Sequence, residues 1–479
     1  MPLMSGLAAG GGPVSSGLPR IAKLAVADAL GECLATALLV PLLLAAVFWN
    51  GFPIIYYDTG AYLLEGLGLH FLPERSPVYS LFLRFGGAAI SLWLIAVIQA
   101  VLVAFLVVET ARAVAPRLPV AVLVPVGAIL AIGTGLPWYV GQIEPDCFTA
   151  LVVLALYLLA FHAERLDRWR MVLIMALGGF AIGVHPSHLL LAGGLWLVIA
   201  LFRTVRRMAR LSSTPRPHLL APAAACAVGL SLVLGSNFAL TGQLFVSRAG
   251  ASFVFARMLQ DGIVMKLLED TCPKSGYRLC AYRESLPATA DGWLWTPHSP
   301  FFRLGHFRGT EKESLRIVRD AILRYPLLQL KSAVADSLAQ FARFGTGDQI
   351  EPQEWVLAPI FRRFLPSQER PYLSARQQRG EIHFGAMSIW HVIVASCSMA
   401  GLVMLLAWLL FAGQVDAAAL YGFVLAALIT NAMICGVLSG PHDRYQSRLV
   451  WLVPFALLIG NPAVRSTCGW KANPALTGA

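Results

Sequence analysis

Nine long apolar runs cross this chain, and they limit its fold more than any other feature. They lie at about 29–49, 86–108, 118–138, 146–163, 171–202, 219–240, 387–411, 417–437 and 448–463. A bilayer core about 30 Å thick needs about 20 apolar residues per helix, and most of these runs supply that length. Charged residues make up 13% of the chain, against about 25% in an average soluble domain, and the mean hydropathy is +0.67. The chain therefore reads as an all-α polytopic membrane protein. The net charge of +11 belongs to short loops between spans, where Lys and Arg set orientation, and does not point to nucleic acid.

One run needs a decision. Met171–Phe202 holds 32 residues and is interrupted by His185-Pro186-Ser187-His188. As a single helix it would measure roughly 48 Å, and it would carry Arg203, Arg206, Arg207, Arg210 and Arg216 to the side opposite the other loop arginines. As a hairpin of two short helices, of about 14 residues and roughly 21 Å each, it keeps those arginines with Arg20, Lys23, Arg112, Arg117, Arg165, Arg168, Arg170, Arg465 and Lys471. The positive-inside rule selects the hairpin. The expectation is about ten membrane helices, two of them short, with both termini cytoplasmic. Residues 1–243 form a membrane module of seven helices, 244–385 an external, mainly helical insertion, and 386–479 a module of three helices. The Gly-rich start, residues 5–17, reads as a tail and not as a cleavable signal. Ala/Arg/Leu-rich usage points to the inner membrane of a Gram-negative cell, with the insertion periplasmic.

Within the insertion, Ser252–Asp270 and Glu311–Phe344 have helical apolar spacing. Cys272 and Cys280, with seven residues between them, are a plausible disulfide if the loop faces an oxidising compartment. Cys33, Cys147, Cys226, Cys397 and Cys435 lie in or at apolar segments, where cysteine behaves as a small hydrophobe.

This topology gathers the unusual polar groups on the outer face. The first external loop, 50–87, carries Tyr57, Asp58, Glu65, His70, Glu74, Arg75 and Arg84. Glu144-Pro145-Asp146 ends the third span, His185 and His188 flank the hairpin turn, and Asp443-Arg444-Tyr445 follows the ninth span. A carboxylate at the mouth of a span is costly to keep, so Asp58 is a functional candidate. Each motif also has a plainer reading. Asp58 would cap a loop helix, and Glu144-Pro145-Asp146 would start one, since acids and Pro suit a first turn. His185 and His188 would be a turn pair, with Pro186 breaking any shared helix face. Asp443-Arg444 would be an interfacial ion pair, with Tyr445 as an aromatic anchor.

At these residues the chain resembles the GT-C superfamily of polytopic glycosyltransferases. Asp58 stands where that family carries an acidic residue in its first large external loop. Residues 60–85, with Ala61-Tyr62-Leu63-Leu64 and Pro77–Arg84, match its short membrane-parallel helices, and Glu144-Pro145-Asp146 matches a second acidic motif before the fourth span. The family's usual carboxy-terminal soluble domain has no counterpart. The resemblance implies transfer of a sugar from a polyprenyl-phosphate donor to a glycan, lipid or protein acceptor at the outer face, with inversion. Asp58 would be the general base, aided by Glu144 and Asp146. Arg444 would clamp the lipid phosphate, with Arg75 or Arg84 as alternatives and Tyr445, Tyr57, His185, His188 and Asp443 around the pocket. Asp58, Glu144 and Asp146 are also oxygen ligands suited to Mg²⁺ or Mn²⁺. Rival expectations are a lipid or polysaccharide transporter or flippase, a polysaccharide polymerase or ligase, and a non-catalytic assembly subunit.

Overall fold

The computed structural model describes residues 20–116, 118–208 and 217–460, with side chains from residue 29 onward. Over this range the chain is helical, apart from an isolated bridge between Ile54 and Gln142. The first part folds as α1 (Arg20–Leu43), α2 (Ala45–Asn50), α3 (Thr59–Gly68), α4 (Pro77–Phe85), α5 (Leu92–Val114), α6 (Val120–Gly133), α7 (Leu136–Gly141), α8 (Cys147–Phe161), α9 (Arg168–Gly183), α10 (Pro186–Met208) and α11 (Leu220–Thr241). The insertion contributes α12 (Gly250–Gln260), α13 (Ile263–Thr271), α14 (Ala290–Trp295), α15 (Pro300–Arg303), α16 (His306–Arg324), α17 (Pro326–Phe341), α18 (Glu354–Phe364) and α19 (Pro366–Leu373). The chain then closes with α20 (Gly385–Phe411), α21 (Val415–Leu438), α22 (Asp443–Val450) and α23 (Leu452–Gly460).

Six segments of the described residues are long and apolar enough to cross a membrane: Ala29–Asn50, Leu92–Val114, Pro186–Met208, Leu220–Thr241, Gly385–Phe411 and Val415–Leu438. Among the described residues this is six full-length spans, fewer than the eight full-length and two short ones expected. The other four expected spans are shortened by identifiable breaks. The 118–138 run stops at Gly133 and restarts as α7, with a proline in its first turn. α8 has 15 residues, all but its last buried, so it is a core helix enclosed on every side. The final run begins early, at Asp443, and is interrupted at Trp451. The Met171–Phe202 run does break beside its His-Pro pair, but unevenly. α9 has 16 residues and α10 has 23, because α10 continues past Phe202 through Arg206. Pro186 opens α10, where its missing N–H costs nothing.

Polar contacts mark two ends of the bundle. At one end Arg112 donates to Glu32 at 2.9 Å, while Arg170 pairs with Glu32 and, at 3.2 Å, with Glu109. Arg165 donates to the Ala113 carbonyl at 3.0 Å, His218 N–H to Ala160 at 2.8 Å, and Arg203 to Pro217 at 2.7 Å. Arg206 pairs with Asp416. These are arginines that the charge rule places together. Arg117, Arg210, Arg216, Arg465 and Lys471 lie outside the described residues, as do the side chains of Arg20 and Lys23 and the Gly-rich start. At the other end Ser76 donates to Gly183 at 2.7 Å, Gln368 bonds Leu92 N–H at 2.8 Å, Trp390 donates to Ile132 at 3.2 Å, and Asn237 to Phe245 at 2.8 Å. Helices α1, α6, α9, α11 and α21 thus run toward this second end, and α5, α8, α10, α20 and α22–α23 run back.

The insertion divides by its packing. Residues 249–325 enclose their own core around Phe255, Trp293, Phe301 and Ile317, with Cys272 and Cys280 joined as a disulfide. The two expected helical stretches are each broken, at Gly262 (φ +77°, the left-handed region glycine tolerates) and at Pro326. Residues 326–385 instead join the main body. Leu357, Phe361, Leu365 and Tyr372 belong to its core, and the backbone of Asp336 on α17 touches Gly436 of α21, where a Cβ would meet Asp336 O at 2.6 Å.

Candidate functional site

The site is built where two loops are stitched together at the second end. Ile54 N–H bonds Gly141 O at 3.0 Å, and Ile143 N–H bonds Ile54 O at 2.9 Å. Buried Gln99 holds the second loop from behind, donating to Val140 O and Gln142 O at 2.8 Å each. Gln377 holds the first, accepting from Ile55 N–H at 3.0 Å and donating to Ile55 O at 2.5 Å. Thr59 joins the two, donating to Ile143 O at 3.0 Å and lying 3.3 Å from Glu144 Oε1. Asp58 and Glu144 are therefore neighbours because of backbone pairing, not proximity in sequence.

Around them stands an ion cluster. Arg75 Nη2 meets Asp58 Oδ1 at 2.5 Å. Arg444 Nη2 lies 3.7 Å from Asp58 Oδ2, and its Nε lies 3.8 Å from Asp146 Oδ2. Arg448 Nη1 donates to Asp146 Oδ1 at 2.6 Å. The Arg444 guanidinium lies over the Tyr56 ring at 4.3 Å and over Tyr445 at 5.2 Å, and Arg75 lies over Tyr62 at 5.6 Å. α22 places Arg444 and Arg448 one turn apart on one face, a spacing of four that makes helical neighbours.

Burial, and then the nearby Asp58, push Glu144 well above the usual carboxylate range. Burial would also raise Asp146, but the Arg444 and Arg448 guanidiniums outweigh it and keep that carboxyl low. Three guanidiniums, those of Arg75, Arg444 and Arg448, thus stand among the carboxyls of Asp58, Glu144 and Asp146, with Asp348 at the Arg444 backbone. Arg75 Nε, Arg444 Nε and Arg448 Nε are buried without a hydrogen-bond partner, as is Asp146 Oδ2. Unpaired buried donors carry a cost of about 1–3 kcal/mol each, and an anion with several oxygens would relieve it.

Of the residues expected from the sequence, the fold brings together Asp58, Arg75, Glu144, Asp146 and Arg444, with Tyr445 beneath Arg444 and Tyr57 exposed beside Asp58. His188 is committed inside the bundle, with its Nε2 2.8 Å from Thr149 Oγ1 and Nδ1 2.7 Å from Ala181 O. His185 bonds Ser187 at 2.7 Å; burial, His188 and the positive charge of Arg448, Arg444 and Arg75 lower its pKa. Two residues stand apart. Arg84 closes the end of α3, donating to Gly66 O at 3.2 Å and Leu67 O at 3.3 Å. Asp443 accepts from Gly345 N–H at 2.8 Å.

As for a metal, no group of three or more His, Cys, Asp or Glu among the described residues is arranged to hold one. Asp58 and Asp146 face guanidiniums and Glu144 faces Thr59, so this donor set does not fit Mg²⁺ or Mn²⁺ as it stands. Arg448, Asp348 and Gln349 also belong to this neighbourhood and were not among the candidates in the sequence. Arg448 had a usable signal, its four-residue spacing from Arg444. A concavity of about 430 Å³ lies on the lobe, between Tyr277, Arg278, Arg308, Glu311, Glu313 and Arg316, and carries none of these residues. Compared with protein-family models, curated proteins and solved structures, the chain matches none of them.

Proposed function

We propose that this chain is an integral membrane glycosyltransferase that takes a sugar from a polyprenyl-phosphate donor. The observation carrying the proposal is the Arg75–Asp58–Arg444 arrangement, a carboxylate held between two guanidiniums at one end of a helical bundle. In this topology ten helices cross, six full-length and four short, and the site end faces the periplasm. A disulfide in the lobe supports that side, since such bonds persist in oxidising compartments.

The chemistry follows from the residues. A guanidinium matches two phosphate oxygens at once. When the donor phosphate takes Arg75 and Arg444, Asp58 is released from them and becomes a free base. The acceptor hydroxyl gives its proton to Asp58 as its oxygen attacks the anomeric carbon. The bond from that carbon to the phosphate oxygen breaks on the opposite face, so the configuration inverts, and polyprenyl phosphate leaves with the electron pair, held by the same arginines. Asp146 and Arg448 fix Arg444 from behind.

A transporter would place its charges near mid-membrane at broken helices, whereas here they sit at one end. A polysaccharide polymerase or ligase would share this chemistry and differ in acceptor. The test is incubation of the purified protein with a panel of polyprenyl-phosphate sugars, following release of polyprenyl phosphate. Turnover of one donor supports the proposal, and inertness toward all of them counts against it.

A further inference from the structure

The loop between α17 and α18, in the part of the insertion that packs on the main body, reaches the site. Every part of it is anchored. Gly345 N–H bonds Asp443 at 2.8 Å, Thr346 N–H bonds Ser388 at 3.0 Å, and Thr346 Oγ1 lies 2.9 Å from His391 Nδ1. Gly347 takes φ +100° with the Phe384 ring where a Cβ would sit. Gln349 follows at φ +58°, a conformation non-glycine residues adopt rarely and mostly where function holds it.

These anchors place two side chains at the mouth of the ion cluster. Asp348 Oδ2 accepts from Arg444 N–H at 3.3 Å and lies 3.7 Å from His442 Nδ1. His442 is itself fixed by buried Gln340, which donates to its carbonyl at 2.8 Å and accepts from its N–H at 2.9 Å. Gln349 Oε1 accepts from the hydroxyl of Tyr56, the ring on which Arg444 rests. Both side chains still reach solvent. That of Asp348 is 21% exposed. Gln349 is an exposed residue.

We infer that this loop, Gly345–Ile350, is the subsite for a polyhydroxylic acceptor, a sugar ring with neighbouring hydroxyls, and that Asp348 and Gln349 bind it. A hydroxyl both donates and accepts. A carboxylate oxygen supplies the acceptor, and an adjacent amide supplies donors. The pair is held rigidly by backbone anchors, as binding loops on a fixed scaffold are. It meets the ion cluster at the Arg444 backbone N–H and at Tyr56, the ring on which Arg444 rests. The subsite deepens the transferase proposal and rests on it.

The test uses the full chain in detergent or nanodiscs. In transfer assays, Asp348→Asn and Gln349→Ala should each raise acceptor KM about ten-fold or more, the loss that a hydrogen bond to a charged or fixed polar group carries. The rise in acceptor KM should exceed any change in donor KM, since a merely misfolded loop would disturb both alike. An unchanged acceptor KM in both variants overturns the inference. A second readout does not depend on transfer: saturation-transfer NMR with methyl glycosides of common hexoses as probes. Ring-proton signals in the wild type that vanish in Asp348→Asn support the subsite even if no donor is turned over. Absent signals in the wild type, or equal signals in the variant, overturn it.

Discussion

Asp58 Oδ1 and Arg75 Nη2 meet at 2.5 Å, so the carboxylate expected to act as a base is capped by a cation in the absence of donor. Neither residue is free to solvent, with side chains 18% and 9% exposed. The cap gives the site an order: phosphate first, then deprotonation. Polyprenyl phosphate alone should therefore compete with the donor, and Arg75→Gln should raise its inhibition constant about ten-fold or more while acceptor KM holds. That range follows from losing a charge-assisted hydrogen bond. Inhibition curves would show it, and identical constants would remove Arg75 from the phosphate site.

Arg444 touches both aspartates and two tyrosine rings. Arg444→Ala should weaken donor-lipid binding more than acceptor binding, because its contact to Asp348 is made by the backbone N–H and survives the change. Titration calorimetry with a short-chain donor analogue measures this directly. Unchanged donor affinity would move the clamp to Arg75 or Arg448.

Asp146 and Arg448 form the most deeply enclosed pair, at 2% and 1% exposure. Removing one partner of a buried pair leaves an uncompensated charge and costs about 3–5 kcal/mol. Arg448→Met should keep Asp146 tied to Arg444 alone and lower the thermal midpoint. The double variant Asp146→Leu with Arg448→Met should recover more than half of the loss. A single variant as stable as the wild type would show that the pair carries no structural role.

How much of this was legible in the residues depends on distance along the chain. The apolar runs, the break at His185-Pro186 and the paired short helices of the first loop were readable, because each is set by local sequence. Asp58, Glu144 and Arg444 were readable as costly polar groups beside apolar runs. Helix lengths were not. Composition does not show that Thr134-Gly135 stops α6 or that Trp451 divides the last run. Arg448 was hidden because it stands at the start of an apolar run. Asp348 and Gln349 were hidden because their partners, Arg444 and Tyr56, lie 96 and 293 positions away. The neighbourhood of Asp58 is likewise long-range, made by the Ile54–Gln142 bridge and the Gln377 clamp.

Glu65 gives the protein a pH-dependent stability. It is buried between α3 and α4, accepting from Ser80 at 2.6 Å and from Leu72 N–H at 3.1 Å. Burial is the main cause that raises its pKa from 4.5 to about 7; the two hydrogen bonds oppose it, and Glu74 adds to it. A raised carboxyl means that the fold prefers the protonated form. Its contribution is complete below about pH 4.5 and is lost as pH rises through 7. The difference is worth up to about 3 kcal/mol. Thermal unfolding followed from pH 5 to pH 8 should show falling stability in the wild type and a flatter profile in Glu65→Gln, which keeps the shape and the bonds. Parallel profiles would place the sensitivity elsewhere.

The central claim rests on Asp58 as the base of a lipid-phosphate sugar transfer. The most direct measurement compares wild type and Asp58→Asn, both purified and shown to be folded, with the same polyprenyl-phosphate sugar and acceptor. The account predicts turnover by the wild type and a loss of about a hundred-fold or more in the variant, the contribution of a positioned general base, with donor binding retained. Full transfer activity in Asp58→Asn would contradict it.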